Sequence, residues 1–185
     1  MNLKICSTNF DFFNMLEDNI NQPIELDPGI KMILIGKYDE AINYFKPRSK
    51  DQDYLACYGL ATAMMKKRSV ALSKQETIEV LDLYKRSMSL KPDFTSAYLM
   101  SALAFEQMAS LLIREYKKAP FDDSVKKVQE IKNNLFRGKE ILETCIRLNS
   151  RLKDSVKPEL ESIERTITGI DFLKKSYDDN RHLYQ

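Results

Sequence analysis

This chain of 185 residues has no tryptophan, a single histidine and only three cysteines. The histidine, His182, lies close to the C-terminal end of the sequence, which excludes a histidine-based catalytic triad or metal cluster in an ordered pocket. The cysteines Cys6, Cys57 and Cys145 are odd in number and far apart, and no C-x-x-C pair occurs. We therefore expect neither a disulfide framework nor a zinc site.

Other features of enzymes are also missing from the sequence. The five glycines are isolated from one another, so no glycine-rich loop is available to hold a phosphate group. We expect Glu159, Glu161 and Glu164 to follow one solvated helix face instead of forming a convergent carboxylate pair. We predict that the protein is not an enzyme and has no catalytic residue, no cofactor and no metal ion.

Charge and hydropathy exclude further classes of protein. The 29 basic and 27 acidic residues nearly balance, whereas a nucleic-acid-binding protein concentrates a basic face. No apolar run approaches the ~20 residues of a membrane span, and the N-terminus lacks the long apolar centre of a signal peptide. We predict no nucleic-acid partner, no membrane span and an intracellular, cytoplasmic location, with the interior or surface of an organelle as the alternative.

The residues that are present predict an all-α fold. Apolar residues make up 43% of the chain, and glycine and proline are few. Apolar positions recur every three or four residues in long stretches, which indicates one buried face per helix. The two longest stripes run from Val125 to Cys145 and from Val156 to about Leu173.

The segment from Gly36 to Phe45 carries the most informative pattern. Gly36 allows one helix to stop and the next to start almost at once. Tyr38 opens the second helix, Ala41 lies where two helices cross closely, and Phe45 fills the space one turn later on the same face.

Two further patterns extend this one along the chain. They are Val80-x3-Tyr84-x2-Ser87-x4-Pro92 and Tyr98-x2-Ser101-Ala102-x2-Phe105. With the Gly36 turn, they resemble the tetratricopeptide repeat (TPR) family, in a divergent form of about three repeats and a capping helix. The resemblance implies a short α-solenoid of antiparallel helical hairpins, in which two helices are lengthened.

This resemblance divides the chain into four parts. Residues 1–26 form an N-terminal aromatic segment, in which Thr8 or Asn9 could cap a short helix over about 9–20. Residues 27–150 hold the TPR-like repeats, residues 151–178 a C-terminal capping helix and residues 179–185 a flexible tail. Such an array needs an amphipathic cap because its last repeat otherwise exposes an apolar face.

Proteins of this family usually hold a partner segment in the concave groove formed by their first helices. Some of them bind a C-terminal carboxylate through Lys and Asn side chains, but none of the matching positions here is Lys, Arg or Asn. The matching positions are Leu26, Ile30, Gly59, Ser96 and Met100.

The resemblance instead implies an apolar groove with a polar end, suited to an amphipathic helix or a hydrophobic peptide. The alternative is that the chain covers these residues itself, with its N-terminal Phe cluster or the long helix over 124–148. The predicted groove residues are Ile33, Tyr58, Thr62, Met65, Leu99, Leu103, Glu106 and Gln107. The aromatic segment adds Phe10, Phe12 and Phe13 as a second candidate for partner binding, against packing on the first repeat.

We therefore predict a non-catalytic protein–protein interaction module, either a TPR-like adaptor or scaffold or an accessory subunit of a larger hetero-complex. Its partner would be a protein that offers a helix or an extended hydrophobic segment. The alternatives are a dedicated chaperone for a hydrophobic client segment and a soluble protein resembling a mitochondrial import receptor.

Overall fold

A computed structural model describes residues 27–67, 72–116 and 121–179. The described residues form seven α-helices and one short 3-10 helix, Ser150–Leu152, with no strand among them. This confirms the predicted all-α class. The helices are α1 (Pro28–Leu34), α2 (Tyr38–Arg48), α3 (Tyr54–Lys67), α4 (Lys74–Leu90), α5 (Thr95–Tyr116), α6 (Phe121–Leu148) and α7 (Lys153–Asp179).

Side-chain caps start the helices where the sequence predicts them. Asp27 Oδ1 accepts hydrogen bonds from the backbone N–H of Gly29 at 2.8 Å and of Ile30 at 3.3 Å, at the start of α1. At the start of α4, Ser73 and Glu76 form the predicted capping box, in which each side chain accepts from the other residue's backbone N–H. These caps satisfy N–H groups that have no partner inside the helix.

Arg48 joins two of the helix starts. Its guanidinium contacts the carboxylate of Asp27 at 3.1 Å and that of Asp53 at 2.7 Å. Asp53 Oδ1 accepts from the backbone N–H of Ala56 at 2.9 Å, at the beginning of α3. Because the same carboxylates cap α1 and α3, Arg48 holds both helix starts beside the end of α2.

The turn between α1 and α2 depends on Gly36, whose φ is +78°. This left-handed conformation is unfavourable for any residue with a Cβ. A Cβ at position 36 would meet no atom within 4 Å, so the backbone alone determines its effect.

We therefore expect Gly36→Ala to lower the free energy of unfolding by about 1 kcal/mol. Urea denaturation followed by circular dichroism would measure this change. Lys37→Ala, at the next position with a φ of −83°, is the control and should change stability by less. Equal effects of the two substitutions would contradict the account of the turn.

Two prolines lie inside helices that the sequence predicts to end or begin beside them. The sequence predicts that Pro47 ends α2, but α2 continues to Arg48, and the Ser49 N–H donates to the Phe45 carbonyl at 2.8 Å. The sequence also predicts that Pro158 opens the last helix, but α7 begins at Lys153. Each of these prolines removes one intrahelical hydrogen bond, and each helix continues past it.

The helices pack mainly on their neighbours in chain order, from α1 against α2 to α6 against α7. In addition, α1 contacts α3, and α3 contacts α5. Two apolar clusters result, one among α1 to α4 and the beginning of α5, the other among α5, α6 and α7. Helix α5 belongs to both clusters and therefore links the two halves of the fold.

Close helix contacts depend on small residues. Ala41 and Phe45 are fully buried on α2, as their spacing predicts. The Phe45 ring lies between two glycines: an added Cβ would lie 2.4 Å from it both at Gly29 of α1 and at Gly59 of α3. We call this arrangement the Phe45 clasp, and it brings α1, α2 and α3 together around one ring.

Candidate partner-binding surfaces

The predicted groove residues lie mostly inside the fold. Leu103 and Gln107 are half-buried, and the other six are buried. Those six are Ile33, Tyr58, Thr62, Met65, Leu99 and Glu106. In the described chain these six side chains present little surface to a partner, and their role in partner binding stays a prediction.

Some of these residues form a buried polar chain between α3 and α4. The hydroxyl groups of Thr62 and Tyr84 lie 3.1 Å apart, and the Tyr84 hydroxyl donates to Met65 Sδ at 3.3 Å. Burial raises the pKa of Tyr84, and also that of Tyr58, well above the ordinary value. Both phenols therefore stay neutral. The buried polar chain joins α3 to α4, and its hydroxyl groups neither gain nor lose a proton near neutral pH.

Glu106 forms a second buried polar contact, between α5 and α7. Its carboxyl group shares a hydrogen bond with Glu159, and both residues are almost completely buried, with 6% and 2% of their surface exposed. Burial, together with Glu159, raises the pKa of Glu106 to about 10. Glu106 is therefore protonated at neutral pH and can donate to Glu159. The prediction that Glu159 lies on a solvated helix face is wrong, because the packing of α7 on its neighbours buries it.

An open space in the described part of the chain lies over α3, between α2 and α4. We call it the outer groove; its volume is about 710 Å³, which lies in the range of ligand-binding clefts. Its apolar lining consists of Ile42, Leu60, Met64, Leu72, Ile78 and Leu83. Leu60, Leu72 and Leu83 are buried, Ile42 and Met64 are half-buried, and Ile78 is 39% exposed. The apolar surface that the described chain leaves uncovered therefore centres on Ile78.

Charged side chains surround this apolar surface. Lys46, Lys50 and Arg86 lie at one end, while Glu79 and Asp82 lie along the first half of α4. All five are exposed, and none of them has an ion pair within the described residues. The charges at the mouth of the groove are therefore free to pair with a partner.

A second hollow, of about 490 Å³, lies over α5 between α4 and α6. Ile78 and Asp82 line both this hollow and the outer groove, because α4 forms the ridge between them. An ion pair of 2.6 Å between Lys74 and Glu130 crosses the second hollow at one end. The outer groove is therefore the more open of the two.

One residue of α4 marks this surface in the sequence. The buried residues of α4 are Thr77, Val80, Leu83, Tyr84 and Ser87, whereas Ile78 is exposed. An isolated apolar residue there does not serve the core. Phe10, Phe12 and Phe13, the other predicted partner-binding residues, lie outside the described residues.

The described residues offer little for catalysis. No group of three or more His, Cys, Asp or Glu side chains that could hold a metal ion occurs within the described ranges. Cys57 and Cys145 are buried, and burial raises the pKa of both thiols, to about 12 for Cys145. Neither thiol is activated as a nucleophile.

Helix α5 is long and apolar enough to cross a membrane, with a mean hydropathy of 1.3 in its most apolar window. The apolar runs of the sequence predict no such segment. Within the fold 67% of that window is buried against other helices. Core helices of this length have the same composition, so this finding alone does not assign α5 to a membrane.

Comparison with known proteins assigns the chain to no group. No protein-family model matches the sequence, and no curated protein matches it significantly.

Proposed function

We propose that this chain is a non-catalytic protein–protein interaction module, an adaptor or accessory subunit of a larger assembly, built as a short TPR-like solenoid. The packing of each helix on its neighbour, with α1 against α3 and α3 against α5, supports the solenoid. The tight Gly36 turn and the Phe45 clasp support the resemblance of the first hairpin to that family.

The outer groove is the observation that carries the proposal. It combines an uncovered apolar surface with charged side chains that have no ion pair among the described residues. Uncovered apolar patches on folded proteins mark interaction sites. A groove with this lining suits the apolar face of a partner helix. Its working surface thus lies between α2 and α4, a different place from the residues that the sequence singles out.

A dedicated chaperone for a hydrophobic client segment is the alternative. The open state of the groove in the described chain favours it, because a chaperone binds its client reversibly. Recovery of one folded partner in equal amount would favour the subunit, whereas recovery of newly made, unfolded chains would favour the chaperone. The free, buried Cys57 and Cys145 suit a reducing compartment, so we place either activity inside the cell.

The test is capture of partners from native extract by the full chain, by Ile78→Glu and by Ile35→Glu. Ile35 is 68% exposed at the end of α1, outside the groove, which makes it the matched control. We expect Ile78→Glu to lower the recovery of the partner about tenfold, because a charge placed in an apolar contact costs about 1–3 kcal/mol. The Ile35→Glu protein should recover as much partner as the unchanged chain.

Both substitutions are at exposed positions, so each should change the free energy of unfolding by about 0.5 kcal/mol or less. Urea denaturation checks this. Equal recovery by all three proteins would place the working surface elsewhere. Substitution of Tyr58 or Leu99 would not serve this test, since a charge at either buried position would unfold the chain.

A further inference from the structure

The charges of the outer groove are separated along its length. Helices α2 and α4 both run antiparallel to α3. The α2 direction follows from the contact of Lys67 with Asp39, and the α4 direction from the hydrogen bond of Ser87 Oγ to the Tyr54 carbonyl at 2.9 Å. The last turns of α2 and α4 therefore lie at the same end of the groove.

The end formed by these last turns is cationic. Lys46 lies in the last turn of α2, Lys50 just beyond it, and Arg86 in the last turns of α4. The acidic residues begin at the middle of α4 with Asp82 and continue toward its start with Glu79, in the second turn. Lys67, which also lines the acidic half, is paired with Asp39.

The groove also has a defined length. Gln75 and Arg86 mark the limits of its lining on α4, and eleven helical steps of 1.5 Å separate them by about 17 Å. That distance accommodates roughly three turns of a partner helix, enough for apolar anchors at positions i, i+4 and i+7. Charged residues at the two ends of such a helix would lie beside the two charged ends of the groove.

From this separation of charge we infer that the outer groove binds an amphipathic helix with opposite charges at its two ends, and that these charges fix its direction. The basic end of the helix lies beside Glu79 and Asp82, and its acidic end lies beside Lys46, Lys50 and Arg86. The inference rests on the proposed function, since it names the kind of partner that the groove takes.

Four synthetic peptides test this inference on the full chain. They share one apolar stripe, blocked ends and one length, and differ only in charge. One has Lys in its first half and Glu in its second, one has the reverse, one carries only Glu and one only Lys. At low salt we expect both mixed peptides to bind about tenfold more tightly than either uniform peptide, a preference that high salt abolishes.

A benzophenone at the Lys-rich end of each mixed peptide reports direction. Irradiation should attach both peptides to the Gln75–Asp82 part of α4. Because their Lys-rich halves are at opposite ends, the two peptides must then lie in opposite directions along the groove. Attachment near Lys46 and Lys50, or attachment that ignores the position of the charges, would overturn the inference.

Charge reversal supplies the matched variants. Lys46→Glu together with Lys50→Glu should weaken the mixed peptides and strengthen the all-Lys peptide. Lys153→Glu together with Lys157→Glu, at exposed positions of α7, gives the same change in net charge and should leave all four affinities as they were. If both double variants change the four peptide affinities equally, net charge alone explains the change, and the inference is overturned.

The failures of the two proposals are distinguishable. If all four peptides bind equally and Ile78→Glu abolishes their binding, the groove is an interaction site without charge selection. If no peptide binds but capture of partners depends on Ile78, the proposed function stands and the inference fails. If neither depends on Ile78, both fail.

Other occupants of the groove give their own result. A benzophenone amino acid at position 13, in place of Phe13, would attach to α4 of the same molecule if the chain's own residues fill the groove. Attachment to α4 of another molecule would identify a second copy as the occupant. Either result overturns the inference.

Discussion

Replacement of Gly59 by alanine is expected to lower the free energy of unfolding by about 3 kcal/mol, the upper range for overpacking of a core. The new Cβ would lie 2.4 Å from the ring atoms of Phe45, far inside van der Waals contact. The ring cannot move away, because it is fully buried and its other side meets Gly29. Urea denaturation of the variant and the unchanged chain measures the difference.

Gly138→Ala is the matched control, because Gly138 also lies inside a helix at a close approach. Its added Cβ would meet Phe105 Cβ at 3.5 Å and the Ala102 carbonyl oxygen at 3.6 Å, which are ordinary contacts. Since alanine favours the helix over glycine, this variant should be as stable as the unchanged chain or up to about 1 kcal/mol more stable.

If the free energy of unfolding falls in Gly59→Ala and rises in Gly138→Ala, the Phe45 clasp is the cause of the loss at Gly59. Phe45→Leu in the Gly59→Ala background should recover part of the lost stability, because a smaller side chain makes room for the Cβ. If Gly59→Ala proved as harmless as Gly138→Ala, the account of the clasp would be wrong.

The second large effect is expected from Glu106→Gln, which should stabilise the fold by about 3 kcal/mol at pH 7. The pKa of Glu106 rises from an ordinary 4.5 to about 10 on folding, so the carboxyl group takes up a proton when the chain folds at pH 7. That uptake costs about 1.4 kcal/mol for each pH unit above 4.5. Glutamine is neutral at every pH and can donate to Glu159 as the protonated acid does.

The same linkage fixes the sign of the pH dependence. The folded-state pKa of Glu106 is raised. Its contribution to the free energy of unfolding is therefore fully present below pH 4.5 and is lost as the pH rises toward about 10. The advantage of Glu106→Gln should therefore be near zero at pH 4.5 and should grow with pH. Denaturation series at pH 5, 7 and 9 measure it, and comparison of the two proteins at each pH cancels the carboxyl groups that they share.

Glu161→Gln is the control for this prediction, since Glu161 is exposed on the same helix, α7, as Glu159. Its stability should follow that of the unchanged chain at all three pH values. An advantage of Glu106→Gln that stays constant, or shrinks, as the pH rises would mean that Glu106 is ionised in the folded protein.

Local sequence signals were sufficient to predict much of the helical framework. The Ser73 capping box, the aspartate–proline start of α1 and the Gly36 turn each act within a few residues, so the sequence alone shows them. Ala41 and Phe45 were predicted correctly as buried because their spacing places both on one helix face. The prolines misled the prediction of helix ends because each removes only one intrahelical hydrogen bond, and packing of α2 and α7 on neighbouring helices can offset that cost.

The accessible surface could not be predicted in this way. In α3 every residue from Ala56 to Ala63 is buried, so that helix has no solvent face for periodicity to reveal. Tyr58 and Thr62 were therefore assigned to a groove by analogy, although they lie in the interior. The outer groove depends on the distance between α2 and α4. The sequence pattern of one helix does not determine that distance.

The Phe45 clasp also defines the smallest piece of this chain that can form the first core. Helix α1 has only seven residues, too few to persist as an isolated helix, yet its Gly29 covers one side of the most enclosed ring in α2. A fragment that begins after α1 would leave that side of Phe45 in water. The folding unit therefore extends at least as far upstream as Asp27, whose carboxylate holds both α1 and Arg48.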